Sequence, residues 1–498
     1  MKKIITFLAF ALGLAISAHA QDTQAGTCGT PPFKSEWLER YQQNPRVINR
    51  TMLQTIYVPV TFHMVGRDDG TGYISYNRLM DAFCQLNEIF EQAEIQFYVK
   101  GNIRYINNDD YYDHDYPAGG QMMQNYNVPN TVNFYICNGL PNNALGYYSP
   151  SGDAVAVEKG ALSGGDFTWA HEAGHYLSLP HTFYGWETTD YSYDSPTPNT
   201  VTWANTIRQV ERVNGSNCSF AGDGFCDTSP DYLNFRWGCN GDGMSPQIQK
   251  DPNGVEFRSD GSLIMGYALD NCVTRFTDGQ IGAMRANLEE ERPGHLVNQT
   301  PPVPVASNEL TPIFPAEGED VQNGEAFDLQ WEPIEGAQFY VVEISRIPTF
   351  AFTVANYITT NSSVTVGADE LAADKTFYWR IRPFNRYDAC VSSSDVHTFQ
   401  TADLVSSTSA QETVQGLRIY PNPAKDNQEV ALEFASEQAS NATVSLLNLT
   451  GQALQSRRME VVPGANRTVI STAGLPKGLY LVRIDANGGA NYRKLLVQ

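Results

Sequence analysis

Three histidines and one glutamate stand at fixed offsets in the segment TWAHEAGHYLSLPHT. His171 and His175 are four residues apart, so on a helix they lie on one face and can direct ring nitrogens at a single ion. Glu172 would reach a water on that ion rather than the ion itself. His181 can join them only if the chain leaves the helix, and Pro180 favours that break because the residue before a proline avoids helical angles. The segment therefore predicts a helix, a sharp turn and a three-histidine metal site.

The chemistry of this donor set points to zinc. Imidazole nitrogens suit Zn²⁺, and a catalytic zinc site with three protein ligands keeps one position open for water. The prediction is metal-assisted hydrolysis, with His171, His175 and His181 as zinc ligands and Glu172 as the catalytic base. The alternative is a core helix with hydrogen-bonded histidines, which requires these residue types to meet at these offsets by chance in a chain with only eight histidines.

The first twenty residues have the pattern of an export signal. Lys2 and Lys3 precede the apolar residues 4–16, and AHA stands ahead of Gln21. This predicts a signal peptide at residues 1–20. No later stretch of eighteen or more apolar residues occurs, so we predict no transmembrane segment. The expected location is secreted or attached to the cell surface, after export through the periplasm.

The net charge is −22, from 33 Lys+Arg and 55 Asp+Glu. The electrostatic field of so negative a protein repels the phosphate backbone of nucleic acids, so no nucleic-acid partner is expected. Simple solubility of an exported acidic protein also accounts for the charge.

Eight cysteines occur, and an oxidising compartment permits disulfides among them. No CxxC pair is present, so disulfides are expected rather than a thiolate zinc site. Cys239 with Cys272 is the preferred pair, although the sequence leaves the connectivity open. The disulfide candidates are Cys218, Cys226, Cys239 and Cys272.

Strand and helix patterns alternate over residues 51–298, which predicts an α/β domain with a mixed sheet. The expected strands are 55–64, 95–99, 132–137, 145–149 and 154–157, with a helix at 76–94.

Two β-rich regions follow. Residues 299–402 begin with a Pro- and Asn-containing linker and continue as short strands, which predicts a β-sandwich. Trp331 and the YWRI run resemble fibronectin type III modules. After a polar linker at 403–416, the β-rich residues 417–498 carry LRIYPNP and GLYLVRI, which resemble the C-terminal sorting domain of Bacteroidetes type IX secretion. That resemblance implies recognition by secretion machinery; the alternative is an ordinary small β-sandwich.

The predicted fold class is therefore multidomain: an α/β zinc protease domain with an active-site helix, followed by two β-sandwich domains. Four segments of the first domain, HEAGHYLSLPHTF, GDGFCDTSPD, IMGYALDNC and RFTDGQIGAMR, together resemble the cytophagalysin branch of the pappalysin metzincins. The resemblance implies a zinc endopeptidase with a methionine turn at Met265 and a catalytic Tyr267; a core Met and Tyr are the alternative. Ser178 departs from the family, which has glycine at this turn.

The same resemblance implies further site residues. In TCGTPPF, Cys28 looks like a cysteine switch, which is a propeptide residue that closes the zinc's open position. The propeptide would then be residues 21–50. Pairing of Cys28 with another cysteine is the alternative. Arg46 and Arg50 make that stretch a candidate activation region. A calcium site is implied at the residues Asp223, Asp227 and Thr228, with a solvated acidic loop as the alternative.

For the substrate, the resemblance implies a peptide antiparallel to the edge strand near Gly146, and an Asp270 that favours Lys or Arg after the cleaved bond. The expected function is a secreted zinc endopeptidase, made latent, that acts on extracellular proteins. The alternative is an inactive protease scaffold that serves as a surface adhesin or binding protein, for which Ser178 is the only support.

Overall fold

The computed structural model describes residues 28–203, 206–297, 299–300, 303–368, 370–402, 414–448, 451–486 and 489–498. The signal peptide predicted for residues 1–20 and most of the linker predicted for 403–416 lie outside these ranges. The chain divides into two compact units, Met1–Ala402 and Asp403–Gln498, and each is described by itself. Within the described residues, no helix is both long and apolar enough to cross a bilayer.

A mixed sheet forms the centre of the first unit. Its strands are β1 (Ile56–Gly66), β2 (Ile95–Val99), β3 (Arg104–Asn107), β4 (Val132–Cys137), β5 (Gly146–Ser149) and β6 (Ala154–Glu158). The order is β2-β1-β4-β6-β5, with β3 also paired to β1. Neighbouring strands run parallel except β5, an edge strand antiparallel to β6. Since β1 is covered on both faces, it is almost wholly buried.

In the described part of the first unit, six helices accompany the sheet. They are α1 (Glu36–Gln43), α2 (Tyr76–Glu91), α3 (Asp109–Tyr112), α4 (Tyr116–Tyr126), α5 (Thr168–Tyr176) and α6 (Asp278–Glu290). Short 3₁₀ helices lie at Arg50–Met52, Pro141–Asn143, Lys159–Ala161 and Pro293–Leu296. The rings of Phe62 in β1, Phe83 in α2 and Trp169 in α5 pack with centroids 5.1–6.3 Å apart. This cluster fixes α2 and α5 against the sheet.

A long connection with little regular structure separates α5 from α6. Its strands form two small hairpins: β7 (Thr200–Trp203) with β8 (Thr206–Gln209), and β9 (Gln249–Lys250) with β10 (Glu256–Phe257). Disulfides join Cys218 to Cys226 and Cys239 to Cys272 within it. Crosslinks restrict a segment that has few ladder hydrogen bonds of its own.

The rest of the first unit is a β-sandwich. Its strands are β11 (Pro312–Phe314), β12 (Glu319–Gln322), β13 (Phe327–Trp331), β14 (Phe339–Ser345), β15 (Thr353–Thr359), β16 (Ser363–Val366), β17 (Lys375–Phe384) and β18 (His397–Ala402). One sheet has the order β11-β13-β16 and the other β12-β18-β17-β14-β15. Trp331 and Trp379 lie fully buried between them.

The sandwich is bonded to the α/β part of the same unit. A disulfide joins Cys84 of α2 to Cys390. Arg382 pairs with Asp81 at 2.6 Å, and the N–H of Val99 in edge strand β2 donates to the Arg386 carbonyl at 2.8 Å. The sequence patterns predict separate domains here. They do not predict this disulfide, because its cysteines are 306 residues apart.

Replacing Cys84 and Cys390 together with alanine is expected to lower the free energy of unfolding by about 2–5 kcal/mol, because the crosslink closes a very long loop. Thermal unfolding of the full chain measures the change. The matched control is the pair Cys218→Ala and Cys226→Ala, which opens a loop of only 8 residues and is expected to cost less. An equal or larger loss in the control would contradict the prediction.

The second unit is a separate two-sheet sandwich. Its strands are β19 (Gln415–Tyr420), β20 (Glu429–Ser436), β21 (Ser440–Leu447), β22 (Ala453–Val461), β23 (Gly464–Ser471), β24 (Gly478–Ala486) and β25 (Gly489–Val497). The sheets have the orders β19-β20-β23 and β22-β21-β24-β25. Alternate apolar residues such as Tyr480, Val482 and Ile484 of β24 face the core between them.

Candidate metal centre

Helix α5 ends in a tight reversal that brings His181 back towards it. Ser178 has φ of 74°, a left-handed conformation, and its N–H donates to the His175 carbonyl at 2.9 Å. This conformation costs a residue with a side chain about 1–2 kcal/mol. The buried Ser178 hydroxyl accepts a hydrogen bond from Asn287 Nδ2 at 2.8 Å, which offsets part of that cost. The serine therefore keeps the turn that a glycine would make without strain.

Replacing Ser178 with alanine is expected to lower the free energy of unfolding by about 1–3 kcal/mol, because the strain stays and the amide of Asn287 loses a buried partner. Ser178→Gly also loses the hydrogen bond but relieves the strain, so it is expected to recover about 1 kcal/mol. Thermal unfolding of the two variants separates the contributions. Alanine as stable as glycine would contradict the strain argument.

Three ring nitrogens converge below this turn. His175 Nε2 lies 3.1 Å from the Nε2 atoms of both His171 and His181. The Nδ1 of His171 lies 2.7 Å from the Ile264 carbonyl, and that of His175 lies 2.7 Å from the Leu179 carbonyl. A carbonyl only accepts, so each Nδ1 carries the hydrogen and these two Nε2 atoms present lone pairs to each other. Lone pairs that face one another at this distance repel, and a bound cation would remove that repulsion.

The spacing of these donors fits zinc. Tetrahedral Zn²⁺ with its usual bond lengths holds two nitrogens about 3.3 Å apart, and a nitrogen and a sulfur about 3.5 Å apart. The sulfur of Cys28 lies 3.5 Å from His175 Nε2. Burial lowers the pKa of His171 to about 3 and that of His175 well below its usual range. Both rings are therefore neutral, the form in which imidazole binds a metal.

The third ring has a carboxylate beside it. Glu187 Oε1 lies 3.7 Å from His181 Nδ1, while its Oε2 accepts the N–H of Gly185 at 2.8 Å. A carboxylate in this position favours the tautomer whose Nε2 is free for a metal. Sequence reasoning missed Glu187, since no spacing rule connects it to the histidines.

Glu172 is fully buried next to the histidines. Its Oε2 accepts the hydroxyl of Thr30 at 2.7 Å, and its Oε1 has no hydrogen-bond partner in the described part of the chain. Burial raises the pKa of Glu172 to about 7. A Cβ added to Gly146 would lie 2.7 Å from Glu172 Cγ. Only glycine lets β5 approach the carboxylate this closely.

The segment around Cys28 lies along β5. The N–H of Gly29 donates to the Gly146 carbonyl at 2.7 Å, in a parallel bridge between Cys28 and Gly146. The N–H of Tyr148 donates to the Thr30 hydroxyl at 2.8 Å. Cys28 and Cys137 are the described cysteines outside disulfides. Residues 28–30 therefore cover both the histidine cluster and Glu172.

Helix α1 anchors this segment further along the chain. Trp37 Nε1 donates to Glu290 of α6 at 2.9 Å. Arg46 pairs with Glu289 and Glu290, and Arg50 pairs with Asp278. Between them, Val47 is 99% exposed, so a protease can reach the chain there.

Met265 and Tyr267 both lie close to the histidine cluster. Met265 is fully buried, and a Cβ added to Gly174 of α5 would lie 2.5 Å from its sulfur. The Tyr267 ring centroid is 5.1 Å from that of His181, and its hydroxyl donates to the Cys28 carbonyl at 3.3 Å. The structure thus brings both residues to the cluster from a segment far along the sequence.

The resemblance implies that Asp223, Asp227 and Thr228 share one calcium site, but the structure brings only Asp223 and Thr228 into contact. Buried Asp223 accepts the Thr228 hydroxyl at 2.9 Å through Oδ1, and its Oδ2 lacks a hydrogen-bond partner among the described residues. Asp227 instead directs both carboxylate oxygens to Thr277 and Gly279 at the start of α6. A calcium ion held by all three residues stays a prediction.

Asp270 already has a cationic partner. Its Oδ2 accepts Arg236 Nη2 at 3.1 Å, and its Oδ1 accepts the N–H of Phe167 at 3.3 Å. This pairing argues against Asp270 as a free carboxylate that binds a Lys or Arg of the substrate. Sequence reasoning missed Arg236 because 34 residues separate it from Asp270.

Comparison with known proteins finds one family match and several related sequences. Residues 418–498 match the secretion system C-terminal sorting domain family. An extracellular metalloprotease of Verticillium alfalfae is 26% identical over 55% of this chain and 93% of its own length. One from Colletotrichum graminicola is 30% identical over 38% of this chain and 77% of its own. Fibronectin(III)-like modules of CbhA from Clostridium thermocellum align with 38% of this chain and 94% of their own at 13% identity, with a TM-score of 0.16, too low to assign a fold.

The sorting domain and these relatives define a secreted or cell-surface metalloprotease. The chain belongs to the family of extracellular metalloproteases that the Colletotrichum graminicola protein represents. Its C-terminal unit is a type IX sorting domain, so secretion machinery is one partner and a protein substrate the other.

Proposed function

We propose that the chain is a zinc endopeptidase of the metzincin class, similar to the pappalysins, which is made latent and cleaves extracellular proteins. The observation that carries the proposal is the convergence of three Nε2 atoms, 3.1 Å from one to the next, beside the buried carboxylate of Glu172. We also propose that the sandwich of residues 299–402 is a module of the fibronectin type III kind.

His171, His175 and His181 would hold the zinc. When bound, zinc polarises the peptide carbonyl and lowers the pKa of water. Glu172 takes the proton from the attacking water and returns it to the leaving amine, for which a pKa of about 7 suits it at neutral pH. The Tyr267 hydroxyl, now bonded to the Cys28 carbonyl, would instead stabilise the charge that develops on the substrate's carbonyl oxygen.

The substrate would bind as a further strand of the sheet. Strand β5 is an edge strand, and Gly146 already pairs with another segment through the N–H of Gly29. An extended peptide antiparallel to β5 would use the same backbone groups. Gly146 would thereby bring the cleaved bond next to Glu172.

Latency would come from residues 28–30. The Cys28 sulfur lies 3.5 Å from His175 Nε2, where it would take the zinc's open position, and the Thr30 hydroxyl donates to one carboxylate oxygen of Glu172. Gly29 takes the substrate's place on Gly146. Cleavage near exposed Val47 would release this segment and open the cleft.

The inactive-scaffold alternative loses its one support. It rests on Ser178, yet this residue keeps the left-handed turn and is held by Asn287. An adhesin has no chemical need for a buried, partly unpartnered Glu172 beside three convergent histidines.

The test uses the full chain activated by limited proteolysis. We expect about one zinc per chain, and casein cleavage that a chelator abolishes and added zinc restores. His181→Ala is expected to lose zinc and cleavage together. Stoichiometric zinc without cleavage of any protein would instead favour the adhesin, and the absence of zinc binding would overturn the proposal.

A further inference from the structure

A cavity lies beside Glu172, between α5 and the segment that follows Met265. It is a small recess, and its ≈ 390 Å³ of empty space includes a part that is open to solvent. Its apolar walls include Leu145, Phe167, Ile264 and Val273. Arg236 and Asp270 are the two charged side chains that line it apart from Glu172 and the histidine cluster. It is called the primed cavity below.

The primed cavity lies where the residue after the cleaved bond would be bound. A peptide antiparallel to β5 runs towards lower residue numbers of that strand, so beyond Gly146 it reaches Leu145. Leu145, Glu172 and His171 all line the cavity. The first side chain after the bond therefore points into this space. This step rests on the proposed function.

Arg236 and Asp270 neutralise each other inside the cavity. The Arg236 side chain is 19% exposed and that of Asp270 is 32% exposed, with Nη2 and Oδ2 at 3.1 Å. Arg236 Nε is buried and has no hydrogen-bond partner among the described residues. Another carboxylate, Asp166, accepts the N–H of Thr168 at the start of α5 and does not line the cavity.

We propose that Arg236 is a specificity-determining residue, which makes this cavity select an apolar side chain rather than Lys or Arg after the cleaved bond. A substrate cation would enter beside the guanidinium, or would have to displace it from Asp270 and leave Arg236 unpaired. Either arrangement disfavours basic residues, whereas the four apolar walls suit Leu, Met or Phe. Arg236 thereby disfavours substrates with a basic residue after the cleaved bond.

The experiment measures cut sites of the zinc-loaded, activated chain on a peptide library. Wild type is expected to prefer Leu, Met or Phe after the bond. Arg236→Met frees Asp270, so the ratio of cuts before Lys or Arg to cuts before Leu is expected to rise roughly tenfold or more. Asp270→Asn leaves Arg236 unpaired, and cuts before Asp or Glu are expected to increase.

The matched control is Arg258→Met, which removes an exposed ion pair with Asp242 outside the cavity. Its cut profile is expected to equal that of wild type. Wild type that cuts before Lys or Arg at least as well as before Leu overturns the inference, as does an unchanged profile in Arg236→Met or Asp270→Asn. If Arg236→Met fails to fold, the wild-type and Asp270→Asn profiles still decide. Failure of wild type to cleave casein overturns the proposed function instead, and this inference with it.

Discussion

Replacing Glu172 with glutamine is expected to lower kcat/KM for casein by a factor of about 10²–10⁴, because the amide keeps the shape of the side chain but cannot take a proton from water. Zinc binding is expected to stay, since Glu172 bonds to Thr30 and not to a histidine. Because the proposed latency would mask activity, protein activated by limited proteolysis is compared at equal zinc content.

The matched control for this change is Glu91→Gln, at the exposed end of α2. It makes the same chemical substitution away from the histidine cluster and is expected to leave kcat/KM unchanged. Activity above a tenth of wild type in Glu172→Gln, with full zinc, would contradict the role of Glu172 as the base. Loss of zinc together with activity would assign it to the metal site instead.

Replacing Cys28 with alanine is expected to raise casein cleavage by the unprocessed full chain at least ~10-fold. The thiol sulfur lies 3.5 Å from His175 Nε2, within the histidine cluster. A tenfold shift requires about 1.4 kcal/mol, less than a zinc–thiolate bond is worth. Gly29 and Thr30 still bind Gly146 and Glu172, so latency is expected to weaken rather than to vanish.

Cys137→Ala serves as the matched control, because Cys137 is the other described cysteine outside a disulfide and is buried in the sheet. It is expected to leave the chain latent. Thr30→Val removes the bond to Glu172 and should add to the effect of Cys28→Ala. A Cys28→Ala chain as latent as wild type would show that the sulfur does not close the site.

Local spacing was sufficient for much of the fold and the site. The four-residue interval between His171 and His175 and the alternation predicted for residues 55–64 follow from backbone periodicity, which depends on neighbours along the chain. The structure has β2 and β4 at the predicted bounds and β5 within one residue of them. For the same reason the break before His181 could be expected from Pro180 alone.

Tertiary structure decided the features that join distant residues. The Cys84–Cys390 disulfide spans 306 residues, and the pairing of Arg236 with Asp270 spans 34. No local sequence pattern predicts either contact. The strained turn at Ser178 is stabilised by a hydrogen bond from Asn287 of α6, 109 residues along the chain. The histidine spacing by itself predicted that these three side chains meet. Packing decided what surrounds them, because a side chain's charge partner depends on which elements meet in space, and the sequence does not record those distances.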